Sequence, residues 1–160
     1  MSPLEQELGR LCSACGSCCR GVMFGVVELE EGEEPAPEVR RRLDIVDGKF
    51  PQPCAAHDGA SCTIYDARPR ACRNYTCALY KRHAAGEGGG IAEKIALVTR
   101  IRSLVGSVCE GEPAHVGSIL GVVAPIVGDR ARWRDRPDKL LDVAELAMRL
   151  KRDLGWRPPE

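Results

Sequence analysis

The chain has 160 residues, enough for one domain of ordinary size or one domain with an extension. Its 23 Lys and Arg balance 23 Asp and Glu, so no global positive field holds it on nucleic acid or an anionic membrane. Aromatic residues make up only 4%, and a core of Ala, Val, Leu and Ile buries little area per residue, so a further staple would help.

The N-terminus, Met1-Ser2-Pro3-Leu4-Glu5-Gln6-Glu7, carries acids where an export signal has basic residues and then an apolar run. The longest weakly polar stretch, Val116 to Val127, is interrupted by Ser118, two glycines and Pro125 and is too short to span a bilayer. The expected compartment is therefore the reducing cytoplasm, where closely spaced cysteines serve as metal ligands or redox groups more often than as disulfide partners. The odd total of nine cysteines also argues against a disulfide framework.

Eight of the nine lie between residues 12 and 77. Cys12, Cys15, Cys18 and Cys19 come first, with two-residue spacers that let the chain fold back so that sulfurs converge while turn N–H groups face them. Neighbouring side chains point apart, so Cys18 and Cys19 serve different metals or one lies outside the ligand set. Val22 to Leu29 is β-rich and leads into the acidic loop Glu30-Glu31-Gly32-Glu33-Glu34-Pro35. Pro37 to Ile45 reads as a short helix, with Val39 and Leu43 four apart, before Phe50-Pro51-Gln52-Pro53 enforces extended backbone up to Cys54.

From Cys54 to Tyr65 the chain reads as a small hairpin turning at Asp58-Gly59, with Cys54 and Cys62 on its arms. Pro69 opens a helix that carries Cys72, and Cys77 completes a second group of four. Eight thiolates divide into two four-ligand sites. Such a centre, whether zinc or an oxidised [4Fe–4S] cluster, has a net charge near −2, so Arg20, Arg68, Arg70 and Arg73 are candidate cofactor-binding donors around the sulfurs.

The other reactive residues have plainer readings. Cys109, at the end of an apolar helical stretch, reads as a small buried thiol. His57 and His83 read as surface histidines rather than ligands, and His115 has no cysteine near it in sequence. Tyr65, Tyr75 and Tyr80 read as packing residues with a polar tip. Arg130, Arg132, Arg134 and Arg136 around Trp133 read as a solvated face, with a docking patch as the alternative. Gly86 to Gly90 is a flexible linker by composition and lacks the flanks of a phosphate loop.

Two helices follow. Ile95, Val98, Ile101, Leu104 and Val105 give Ile91 to Val108 an amphipathic face. Leu141, Ala144, Leu146, Met148, Leu150 and Leu154 do the same from about Asp138 to Leu154, which ends at Gly155 before Pro158-Pro159.

The block Cys12-Ser-Ala-Cys15-Gly-Ser-Cys18-Cys19-Arg20, then Cys54, then Gly59 to Cys77 with its Ile64-Tyr65, Arg68-Pro69 and Cys72-Arg73 elements, resembles the YkgJ-like (CxxCxxCC) family of zinc- or iron-chelating proteins. The resemblance covers about residues 10 to 80 and implies that Cys12, Cys15, Cys18, Cys19, Cys54, Cys62, Cys72 and Cys77 are metal-binding. In motif the chain is also similar to the cysteine-rich part of flagellin lysine methylases, but it has no recognisable methyltransferase domain and methylation is not carried over.

The expected fold is α+β: a metal-stapled, partly irregular cysteine-rich region with a short β-hairpin over residues 1–82, a Gly-rich linker at 83–90, and helices over 91–160 packed on the first region as one domain. Three functions share metal binding: an iron-sulfur protein in electron transfer or redox chemistry with a redox partner, a structural zinc module that binds another protein, and a metalloenzyme with an open coordination position. The first three cysteines resemble a ferredoxin run, but the fourth is not at ferredoxin spacing. Neither nucleic acid nor membrane is expected as a partner.

Overall fold

A computed structural model describes residues 2–109, 131 and 137–157. The stretch Val116 to Val127, His115, the arginines around Trp133 and the Pro158-Pro159 stop lie outside the described residues. The fold is α+β and mostly helical. Among the described residues there are six α-helices, α1 (Pro3–Cys15), α2 (Pro37–Leu43), α3 (Arg70–Asn74), α4 (Ala78–Ala84), α5 (Ile91–Cys109) and α6 (Pro137–Arg149), and the strands β1 (Val26–Glu28) and β2 (Lys49–Pro51) form one antiparallel pair. Among the described residues no helix is long and apolar enough to cross a membrane.

The chain falls into two compact units. The first holds α1, α4, α5 and α6, and the second is the stretch Gly16–Tyr75. The boundaries thus fall at Cys15 and Tyr75, and the glycine run is interior to the helical unit. This differs from a division at residues 82 and 90, because the segment before Cys15 is a helix that groups with the later helices.

In the helical unit α1 starts with a reciprocal cap. Glu5 N–H donates to Ser2 Oγ at 3.2 Å, while the Glu5 carboxylate accepts the Ser2 N–H and is held below the usual carboxylate range by it. Pro3 occupies the first turn, where its missing N–H costs nothing. Leu8 and Leu11 are buried on one side of α1, which packs on α5 and α4.

On α5 the buried positions are Lys94, Val98, Ile101, Leu104 and Val108, one helical stripe that meets α6. Val143 and Leu146 are the buried positions of α6, and its last turn widens into a π-helix, Leu150–Leu154. That turn closes on Gly155 at φ 75°, where Trp156 N–H returns to Leu150 O at 2.9 Å. Leu141 and Met148, expected on the buried face, are exposed instead, at 78% and 48%. The inward register is set by Val143, Leu146 and Leu150, and Leu141 and Met148 fall outside that stripe.

The glycine run is not a loose linker. Lys94 is buried, and its ammonium donates to Glu87 O at 2.6 Å and to Gly89 O. Gly90 N–H donates to Glu93 Oε2 at 3.0 Å, and a Cβ on Gly89 would lie 1.8 Å from that same oxygen. The sequence Gly86 to Gly90 is therefore the fixed N-terminal cradle of α5.

In Gly16–Tyr75, β1 and β2 pair with Val27 opposite Phe50, and Leu29 N–H extends the pairing to Gly48 O at 2.7 Å. Phe50 joins Val39, Leu43 and Ala56 in a small buried cluster. Val27, Leu29, Ile45, Ile64, Cys54 and Cys72 pack against it. The α2 helix presents Val39 and Leu43 to this cluster and ends where Asp44 takes φ 54°. The acidic loop is drawn to α3: Arg70 N–H donates to Glu33, Asn74 Nδ2 donates to Glu30 Oε1 at 2.6 Å, and the Arg70 guanidinium reaches Glu30 and the Glu31 carbonyl.

Candidate metal centre

All nine cysteines are described, and none is in a disulfide. The first four do not form one continuous turn. Cys12 and Cys15 lie in the last turn of α1, Gly16 leaves the helix at φ 58°, and Cys18 and Cys19 belong to the turn that follows, where Gly21 N–H returns to Cys18 O at 3.2 Å. Cys12 is exposed and the other eight are half-buried. Cys77 caps α4, its Sγ accepting the Tyr80 N–H at 3.4 Å.

Within Gly16–Tyr75 the fold gathers cysteines from both sequence groups. Cys54 N–H donates to Cys19 O at 2.7 Å, which sets the two backbones side by side. After Cys54 the chain turns back. Asp58 Oδ1 accepts the N–H groups of Ala60 and Ser61 at 2.8 and 2.7 Å, Gly59 takes φ 96°, and an antiparallel bridge joins His57 to Cys62. Thr63 N–H then bonds Ala56 O at 2.8 Å. The expected hairpin is present as this single-bridge turn.

Cys72 comes from α3, whose helical turn begins right after Pro69, and Cys54 and Cys72 rest on the same apolar cluster.

The electrostatics report the same gathering. Burial pushes the Cys72 thiol up, and the neighbouring Cys19, Cys54 and Cys62 add to this, to about 12. Cys54 is also raised, chiefly by burial and further by Cys62, against the backbone N–H groups of Ala56 and His57 and the charge of Arg42, which favour its thiolate. The Cys72 thiol therefore senses three neighbouring sulfurs, and burial sets both it and Cys54 against ionising.

The arginines have separate engagements. The Arg68 guanidinium carbon lies over the Tyr65 ring, 3.6 Å from its centroid, and the charge of Arg68 acts to lower the pKa of Cys72 against the larger effect of burial. Its Nε is buried and has no hydrogen-bond partner among the described residues, leaving a cationic donor beside the thiols. Arg20 donates to Gly59 O and so ties the Cys18-Cys19 turn to the Asp58-Gly59 turn. Arg70 is taken up by the acidic loop, and Arg73 sits in the last turn of α3.

The histidines differ from a surface reading. His57 is half-buried, and its Nδ1 accepts the Gly59 N–H at 3.1 Å, so the neutral ring carries its proton on Nε2. His83 is buried in the helical unit, its Nε2 3.1 Å from Glu7 Oε2. Cys109 closes α5 half-buried rather than buried. Tyr75 meets the Phe24 ring edge to face at 4.7 Å.

Among the described residues no group of three or more His, Cys, Asp and Glu side chains is arranged to hold a metal ion. The donor set nonetheless suits one chemically: several soft sulfur ligands, raised thiol pKa values that a cation relieves, and the unpartnered Arg68 N–H suited to a thiolate.

Fold and site define a small α+β protein with half-buried thiols gathered in the unit Gly16–Tyr75. The chain matches no protein-family model, no curated protein and no solved structure among those compared.

Proposed function

We propose that the chain is a metal-binding protein whose cysteine thiolates hold zinc or an iron-sulfur cluster. The observation that carries this reading is Cys72, a thiol pushed up by burial among Cys19, Cys54 and Cys62. Thiols crowded in a poorly hydrated site resist ionising alone, and a bound cation removes that penalty. The resemblance to the YkgJ-like family supports the same chemistry.

The structural form of the reading is favoured by one observation: Cys54 and Cys72 are part of the packing around Val39, Leu43, Phe50 and Ala56. A unit of about 60 residues with so small a cluster is one that a metal cross-link stabilises. Bound there, zinc would supply a closed tetrahedral cross-link, and a [4Fe–4S] cluster would add a redox centre for electron transfer.

The test is metal and acid-labile sulfide analysis with a visible spectrum on protein purified without oxygen. Zinc without colour supports a structural module for a protein partner. Iron with matching sulfide and a broad visible absorbance supports electron transfer with a redox partner. A chain that binds neither metal, even after reconstitution under reducing conditions, overturns the proposal.

A further inference from the structure

The sequence spacing sorts the eight cysteines into a first block that ends at Cys19 and a second that begins at Cys54. The fold cuts across those blocks. We infer that Cys19, Cys54, Cys62 and Cys72 form a single closed four-thiolate centre contained in Gly16–Tyr75, with Cys18 outside its ligand set. This inference rests on the metal-binding reading above and assigns ligands within it.

Three geometric features converge on these four. The Cys54 N–H to Cys19 O bond at 2.7 Å joins the first block to the second at Cys19 and not at Cys18, whose carbonyl is used by Gly21 in its own turn. The His57–Cys62 bridge and the Thr63 N–H to Ala56 O bond bring Cys62 back alongside the Cys54 end of the same turn. The shared apolar cluster seats Cys72 with Cys54.

The surroundings are those of a thiolate centre. Arg68, four residues before Cys72, supplies a buried Nε–H with no acceptor among the described residues. Four thiolates on a divalent cation carry a net charge near −2, and this guanidinium lies where it offsets part of it. Four protein ligands also fill a tetrahedral ion, so this centre has no open position for a substrate.

The experiment uses the reduced full-length chain with cobalt(II) as a spectroscopic probe, read as thiolate-to-cobalt absorbance and as affinity in competition with a chelator. Cys19→Ser, Cys54→Ser, Cys62→Ser and Cys72→Ser should each lose more than the roughly 10–100-fold in affinity that removal of an outer partner costs. Cys18→Ser should retain that site, and Arg68→Gln should fall within the roughly 10–100-fold range while keeping the four-thiolate spectrum.

Because serine variants can fail to fold, the wild-type chain is also alkylated during zinc titration and mapped by mass spectrometry. Cys19, Cys54, Cys62 and Cys72 should become protected together. Protection of Cys18 in place of Cys19, or a Cys18→Ser loss matching that of Cys54→Ser, overturns the assignment while leaving metal binding intact. Absence of cobalt and zinc binding by the wild-type chain overturns the assignment, and absence of an iron-sulfur cluster after reconstitution as well overturns the metal-binding reading on which it rests.

Discussion

Gly16 occupies the point where α1 must stop and the Cys18-Cys19 turn must start, and its φ of 58° is one that side chains with a Cβ adopt at a cost. A Cβ there would also come within 3.3 Å of His57 Nε2 and 3.4 Å of Arg20 Nε. Gly16→Ala should therefore destabilise by about 1–2 kcal/mol from the backbone alone, with the contact adding to it. Urea unfolding reads this directly, and a variant as stable as the wild type would show that the turn relaxes freely. The same neighbourhood shows what the sequence could reveal at this scale. Asp58-Gly59 announces its turn, because Asp accepts local N–H groups and Gly takes positive φ. The role of His57 depends on which ring nitrogen the Gly59 N–H happens to reach, and no residue pattern encodes that.

Between α5 and α6, Glu145 is an electrostatic tie. On α6 it accepts two bonds from Arg100 of α5, at 3.2 and 2.6 Å, and one from Arg149 at 2.7 Å, and these hold its carboxyl down to about 2. Its contribution is complete above the ordinary value of 4.5 and is lost as pH falls through about 2, because only the carboxylate binds both guanidiniums. The melting temperature of the wild type should thus fall more steeply than that of Glu145→Gln across this window, and by less in high salt, which screens so exposed an arginine. Equal slopes for the two chains would remove Glu145 from the account. Lys94→Met keeps the length of a buried side chain but leaves the carbonyls of Glu87 and Gly89 without their shared donor. The expected loss is about 1–3 kcal/mol by thermal or urea unfolding. α5 was readable from its apolar period, whereas Lys94 breaks that period and is invisible to it. The start of α1 is encoded as directly, in the capping box Ser2-Pro3-x-Glu5, a signal that the reading of the N-terminus did not use. Leu141 and Met148 were misplaced because a helix rich in leucine offers two registers, and packing against α5 selects one.

At the scale of the molecule, the cysteines are shared between two units rather than confined to one cysteine-rich region. Which cysteines gather was not legible: Cys54 reaches Cys19 through one backbone bond between residues far apart in sequence, and spacing rules describe only near neighbours. If metal staples Gly16–Tyr75, chelation should raise amide hydrogen exchange in α2, β1, β2 and the Cys54–Cys72 stretch while α5 and α6 retain protection. Uniform loss across the chain would show one cooperative unit, and no change would remove the staple. The grouping of α1 with α4, α5 and α6 bears on synthesis as well. Leu8 and Leu11 leave the ribosome well before their partner α5, which begins only at Ile91. Until α5 emerges, α1 is an amphipathic segment whose native seat is incomplete, and a nascent chain stalled before Ile91 would offer Leu8 and Leu11 to chaperones and proteases.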